Sequence, residues 1–115
     1  GGRNNSMINS IKSQLISLEN QLINLRENIE SEIINLLFEK DTLEKQKIIL
    51  NKKYDQALKN FKATEKTFTK GYSTMTEVLE AQRSLSSAEK SLISNKSDKA
   101  KNLVKLFRQI SEIEL

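Results

Sequence analysis

The sequence predicts an all-α protein: a long antiparallel αα-hairpin, coiled-coil-like, with helix one over about residues 6–69, a turn at about 70–73 and helix two over about 74–112. Three observations carry this expectation. The 115 residues include no Pro and only three Gly, at positions 1, 2 and 71, so almost nothing stops a helix. Apolar residues recur at intervals of three and four along most of the chain. The one internal Gly lies between a helix stop signal and a helix start signal.

Helix one opens after Asn4, Asn5 and Ser6, whose short polar side chains are suited to capping a first turn. Residues 1–5 are expected to be an expression remnant or linker. From there Ile8, Ile11, Leu15, Leu18, Leu22, Leu25 and Ile29 form a heptad seam. One row of that seam continues through Leu36, Leu43, Leu50, Ala57 and Thr64, while its companion row changes side. Up to Leu25 the companion lies three residues after each row member; from Ile33 through Tyr54, Phe61 and Phe68 it lies four after. The stripe therefore rotates near Glu32. A helix that changes neighbours along its length gives this pattern, and so does a local stutter in an ordinary coiled coil. A run to about residue 69 makes the helix roughly 95 Å long at 1.5 Å per residue.

Gly71 stands where a left-handed C-terminal cap is needed, with Lys66 and Lys70 in the preceding turn, at the negative end of the helix dipole. Ser73 or Thr74 can cap the next helix, and Thr74 with Glu77 has capping-box spacing. Helix two carries Val78, Ala81, Leu85, Ala88 and Leu92, then Leu103, Leu106, Phe107 and Ile110. Ala81, Ala88 and a set of serines interrupt it, leaving room for close neighbours on more than one side. At roughly 60 Å it is the shorter arm. Residues before about 28 project past its end and need another partner, so the chain reads as a piece of something larger.

Composition excludes several functions. With no His and no Cys there is no zinc site, no thiol nucleophile and no imidazole base, and no enzyme activity or cofactor is expected. The net charge of +4 comes from 19 basic and 15 acidic residues mixed along the chain, and aromatic residues make up 5%. That is neither the basic stripe nor the stacking platform of a nucleic-acid binder. Lys52, Lys53, Lys59 and Lys62 read as a solvated face. No apolar run approaches the ~18 residues of a membrane-spanning helix.

The turn reads Phe68-Thr69-Lys70-Gly71-Tyr72-Ser73-Thr74-Met75-Thr76-Glu77-Val78-Leu79-Glu80-Ala81-Gln82-Arg83-Ser84-Leu85. It resembles the periplasmic tip of TolC-like outer membrane efflux proteins. The family pattern is an aromatic, two residues, Gly, a few polar residues, an acid, Val-Leu, an acid, Ala, and Leu four further on. Every one of those positions is filled. The stretch Asn28-Ile29-Glu30-Ser31-Glu32-Ile33 also looks like the segment before the family's long descending helix. The likeness covers residues 22–110 and is specific over 68–85; Val78-Leu79-Glu80-Ala81 fits the second of the family's two internal repeats better than the first.

The resemblance implies a periplasmic helical hairpin, residues 6–115, belonging to a homotrimeric outer membrane channel. Such a channel conducts drugs or secreted substrates in a tripartite efflux or type I secretion machine. It implies a periplasmic adaptor (membrane fusion) protein as partner, an inner-membrane transporter indirectly, and a location facing the periplasm. By the same likeness, Gly71, Tyr72 and Lys70 form the adaptor-contact tip, Glu77 and Glu80 an acidic ring at the aperture, and Phe68, Val78 and Leu79 the tip packing. Bland readings stand beside these: Gly71 is needed by any such turn, and Glu77 and Glu80 suit the positive end of a helix dipole. The family's closed tip has Tyr at the place of Phe68 and Arg at the place of Ser73, so that polar latch does not carry over. Two rival readings are an adaptor hairpin, whose spaced Arg-Leu-Ser pattern is not found around Gly71, and a structural coiled-coil rod.

Overall fold

The structure, a computed structural model, describes residues 1–114. Their regular structure is two helices, α1 (Gly2–Thr69) and α2 (Met75–Glu114), joined by a tight turn. The helical hairpin expected from the sequence is the fold. Its ends differ slightly from expectation. Helix α1 begins at Gly2 rather than near Ser6, because the Asn5 amide donates to the Gly1 carbonyl at 3.3 Å and the helix propagates through the polar residues. A cap-forming side chain favours a start by about 1 kcal/mol but does not prevent an earlier one. Helix α2 continues two residues beyond the expected end, to Glu114.

The chain divides into two compact units: Gly1–Leu37 with the chain from Lys105 onward, and Phe38–Val104. The second contains the turn. On α1 its inward row is Leu43, buried, followed by half-buried Leu50, Tyr54, Ala57, Phe61 and Thr64. On α2 the matching face is Val78, Ala81, Leu85, Ala88 and Leu92, with Ala81 buried and the others half-buried. From Leu50 onward the α1 row steps by three and four, as the α2 row does throughout, which is what a two-helix seam requires.

That face of α2 continues in phase through Asn95, Lys99 and Asn102. Both asparagines are buried. The Asn95 Nδ2 donates to the main-chain carbonyl of Leu43 at 3.1 Å, and the Asn102 Nδ2 donates to Glu39 Oε2 at 3.3 Å. Asn95 Oδ1 is the one buried side-chain polar atom left without a partner among the described residues. Of the four apolar residues that the sequence offers beyond Leu92, namely Leu103, Leu106, Phe107 and Ile110, Leu106 is buried and the other three are exposed. A heptad phase set near the turn is not reset by polar residues that occupy its core positions, so α2 keeps turning on schedule and those three fall outside.

In the other unit Leu36 and Leu106 are buried, and Ile29, Ile33, Gln109 and Ile113 are half-buried. Leu22, Leu25, Arg26 and Ile29 share a groove with Glu112 and Ile113, which is as far as α2 reaches along α1. Upstream, Ile8, Ile11, Leu15 and Leu18 keep their heptad spacing but are exposed. The surface of α1 carries ion pairs Arg26–Glu30, Lys40–Glu44 and Asp41–Lys45, each four residues apart. The hydrogen bond and charge of Asp41 hold the Lys45 ammonium above its ordinary pKa. No helix is long and apolar enough to cross a membrane, and no group of acidic, His or Cys side chains that could hold a metal occurs among the described residues.

Candidate docking tip

The turn is built from main-chain bonds that finish one helix before the next begins. The Tyr72 amide donates to the Thr67 carbonyl at 2.9 Å, and the Gly71 amide to the Phe68 carbonyl at 2.9 Å. This pair of six-to-one and five-to-two bonds is the Schellman arrangement, and it requires a left-handed residue between them. Gly71 supplies it with φ of 81°. A Cβ built there would meet nothing within 4 Å. Its Cα side therefore faces open space, and the obstacle to another residue is backbone conformation alone.

Helix α2 is capped by Thr74. Its Oγ1 accepts the Glu77 amide at 3.2 Å, and its carbonyl accepts the Val78 amide at 3.2 Å. Of the two hydroxyls suited to this role, Thr74 takes it. Ser73, half-buried, is tied the other way, with its hydroxyl hydrogen-bonded to that of Thr67. The Thr67 hydroxyl in turn donates to the Thr64 carbonyl at 3.0 Å. Thr67 has one hydroxyl proton and spends it on Thr64, so Ser73 is the donor to Thr67.

The contact residues expected at the tip stand clear of the hairpin: Tyr72 is 83% exposed and Lys70 is exposed. Of the three residues expected to pack the tip, Val78 is half-buried in the seam. Phe68 at 36% and Leu79 at 44% remain exposed, and Met75 is exposed with them. Phe68, Tyr72 and Met75 are thus exposed apolar side chains close to Gly71 in sequence, while Leu79 lines a groove with Gln82, Arg83, Ser86, Ser87 and Lys90 further along α2. Met75 and the Thr67–Ser73 pair did not figure in the sequence reading. A hydroxyl in the last turn of α1 and another just past the glycine were the available signal.

Glu77 and Glu80 are exposed on one side of α2 and line a groove with Asn60, Thr64, Ala81 and Ser84. They lie in the first two turns of α2, where the helix dipole favours negative charge. A second groove, lined by Leu50, Lys53, Ala57, Arg83, Ser84, Ser87, Ala88 and Ser91, follows the small side chains of α2 and carries two cations.

The described residues thus form a helical hairpin with a glycine-capped turn and two exposed carboxylates in the first turns of its second helix. The family model for outer membrane efflux proteins matches residues 1–110, and the chain belongs to that family. It is a TolC-like chain, and the family's members are transport proteins of the outer membrane, working with partner proteins in efflux rather than as enzymes. Comparison with curated proteins and with solved structures gives no match.

Proposed function

We propose that this chain is a periplasmic hairpin of a homotrimeric efflux duct, from the second of the family's internal repeats, and that its tip docks end-on to a periplasmic adaptor protein. The duct passes drugs or secreted substrates through a gated tube, and the adaptor links it to an inner-membrane transporter. Gly71 carries this reading. Its open Cα side, with Tyr72 and Lys70 exposed beside it, lets another backbone come close at the extreme end of the hairpin. The exposed apolar side chains Phe68 and Met75 supply area for a partner to cover. Glu77 and Glu80, repeated by threefold symmetry, ring the aperture with carboxylates.

Two substitutions separate docking from simple turn formation. In the full-length protein Gly71→Ala and Gly71→Leu impose a similar backbone strain, about 1–2 kcal/mol. They differ in the bulk placed on the open side. Docking predicts that Gly71→Leu abolishes efflux in a drug-susceptibility assay while trimers still form, and that Gly71→Ala retains much of it. Equal losses, or no loss in either, would remove the docking role and leave Gly71 a turn residue.

A further inference from the structure

We infer that Ser73 and Thr67 form a clasp that positions the tip for docking; the functional part of this inference rests on the reading above. Consecutive residues at the turn are bound to different helices. Ser73 is tied back to α1 through its hydroxyl on Thr67, and Thr74 is tied forward as the cap of α2. The link between the two helix ends is thus a single peptide unit anchored on both sides. Behind Thr67 the bond to the Thr64 carbonyl at 3.0 Å fixes its rotamer, so the acceptor that Ser73 meets is already oriented.

The clasp controls what the Schellman bonds leave free. Those bonds fix Gly71 and Tyr72 relative to α1, through Phe68 and Thr67. They place no restraint on the direction in which the chain leaves Tyr72 toward Met75. Ser73 supplies that restraint, and it is half-buried while its neighbours Tyr72 and Met75 are exposed. A preorganised tip loses less conformational freedom when a partner covers it, so the clasp raises affinity without touching the partner. Ser73 and Thr67 are positioning residues.

The test uses the whole chain with Ser73→Ala and Thr67→Val, each removing one hydroxyl, and Ser73→Thr and Thr67→Ser, each keeping it. Two quantities are read: amide hydrogen exchange at residues 77 and 78, whose amides are held by Thr74 on the far side of the clasp, and dissociation from a purified, immobilised periplasmic adaptor protein. Loss of one hydrogen bond should speed exchange at these amides between about threefold and tenfold. It should speed dissociation by a similar factor, with both hydroxyl-retaining variants close to the unaltered chain. Unchanged exchange in Ser73→Ala and Thr67→Val would overturn the clasp. Faster exchange with unchanged dissociation would overturn its role in docking. If the unaltered chain does not bind the adaptor protein, the docking reading fails instead, and the exchange rates still decide whether the clasp orders the tip.

Discussion

Gly71 and Thr74 were legible in the sequence because each answers a demand of the backbone itself. A helix that ends needs acceptors and donors satisfied, and few residue types do this. The side-chain bond from Ser73 to Thr67 answers no such demand. The sequence offers Ser73 and Thr74 alike as the cap of α2, and only the geometry shows that Thr74 takes that role while Ser73 turns back to α1. Glu77 and Glu80 pose the opposite problem. Their place on α2 is plain, yet the helix dipole alone explains acids there. The aperture role proposed for them needs the assembled duct to be tested. Replacing both with Ala in the full-length protein should lower cation selectivity in bilayer recordings by roughly twofold to fivefold. Unaltered selectivity would place them outside the conduction path.

At the scale of the helices, the buried face of α1 follows from apolar spacing, while in the second half of α2 that spacing finds Leu106 but not Asn95 and Asn102. The persistent row from Leu36 to Thr64 is apolar nearly throughout, so counting apolar residues finds the buried face. On α2 the face passes from Leu92 into Asn95, Lys99 and Asn102, and an apolar count jumps instead to Leu103, Leu106, Phe107 and Ile110. Extending the three-and-four spacing from Leu92 without regard to residue type would have reached Asn95, Asn102 and Leu106 in turn. Polar core positions of this kind cost stability and favour one pairing over others. Asn95 states the cost most clearly, since its Oδ1 is buried without a partner. Asn95→Leu should therefore stabilise the hairpin, by about 1 kcal/mol, which raises Tm by about 4 °C in a chain of this size. A lower Tm by circular dichroism would mean that the bond to the Leu43 carbonyl outweighs the orphaned oxygen.

For the molecule as a whole, α1 carries more seam than α2 covers. The expectation that residues before about 28 lack an internal partner fits the exposed Ile8, Ile11, Leu15 and Leu18, whereas Leu22 and Leu25, also exposed, line a groove with Glu112 and Ile113 of α2. The change of companion row near Glu32 falls just past the groove where Glu112 and Ile113 meet α1. A helix whose apolar face rotates there is suited to a neighbour other than α2 further up. Two leucines measure this. In the isolated chain Leu43→Ala should cost about 2–5 kcal/mol, and Leu15→Ala less than about 0.5 kcal/mol. In the assembled full-length protein the Leu15 substitution should become costly as well. A large loss at Leu15 in the isolated chain would show that its seam is already covered there.

The exposure of Tyr72 also makes the tip visible to light. The chain has no Trp and two Tyr, and the other, Tyr54, is half-buried in the seam. Phenol emission therefore comes from one ring at the extreme end of the hairpin and one in its interior. A soluble quencher reaches Tyr72 freely and Tyr54 poorly, so a partner seated on Gly71 would shield the accessible ring. The native chain thus carries its own optical reporter of tip occupancy.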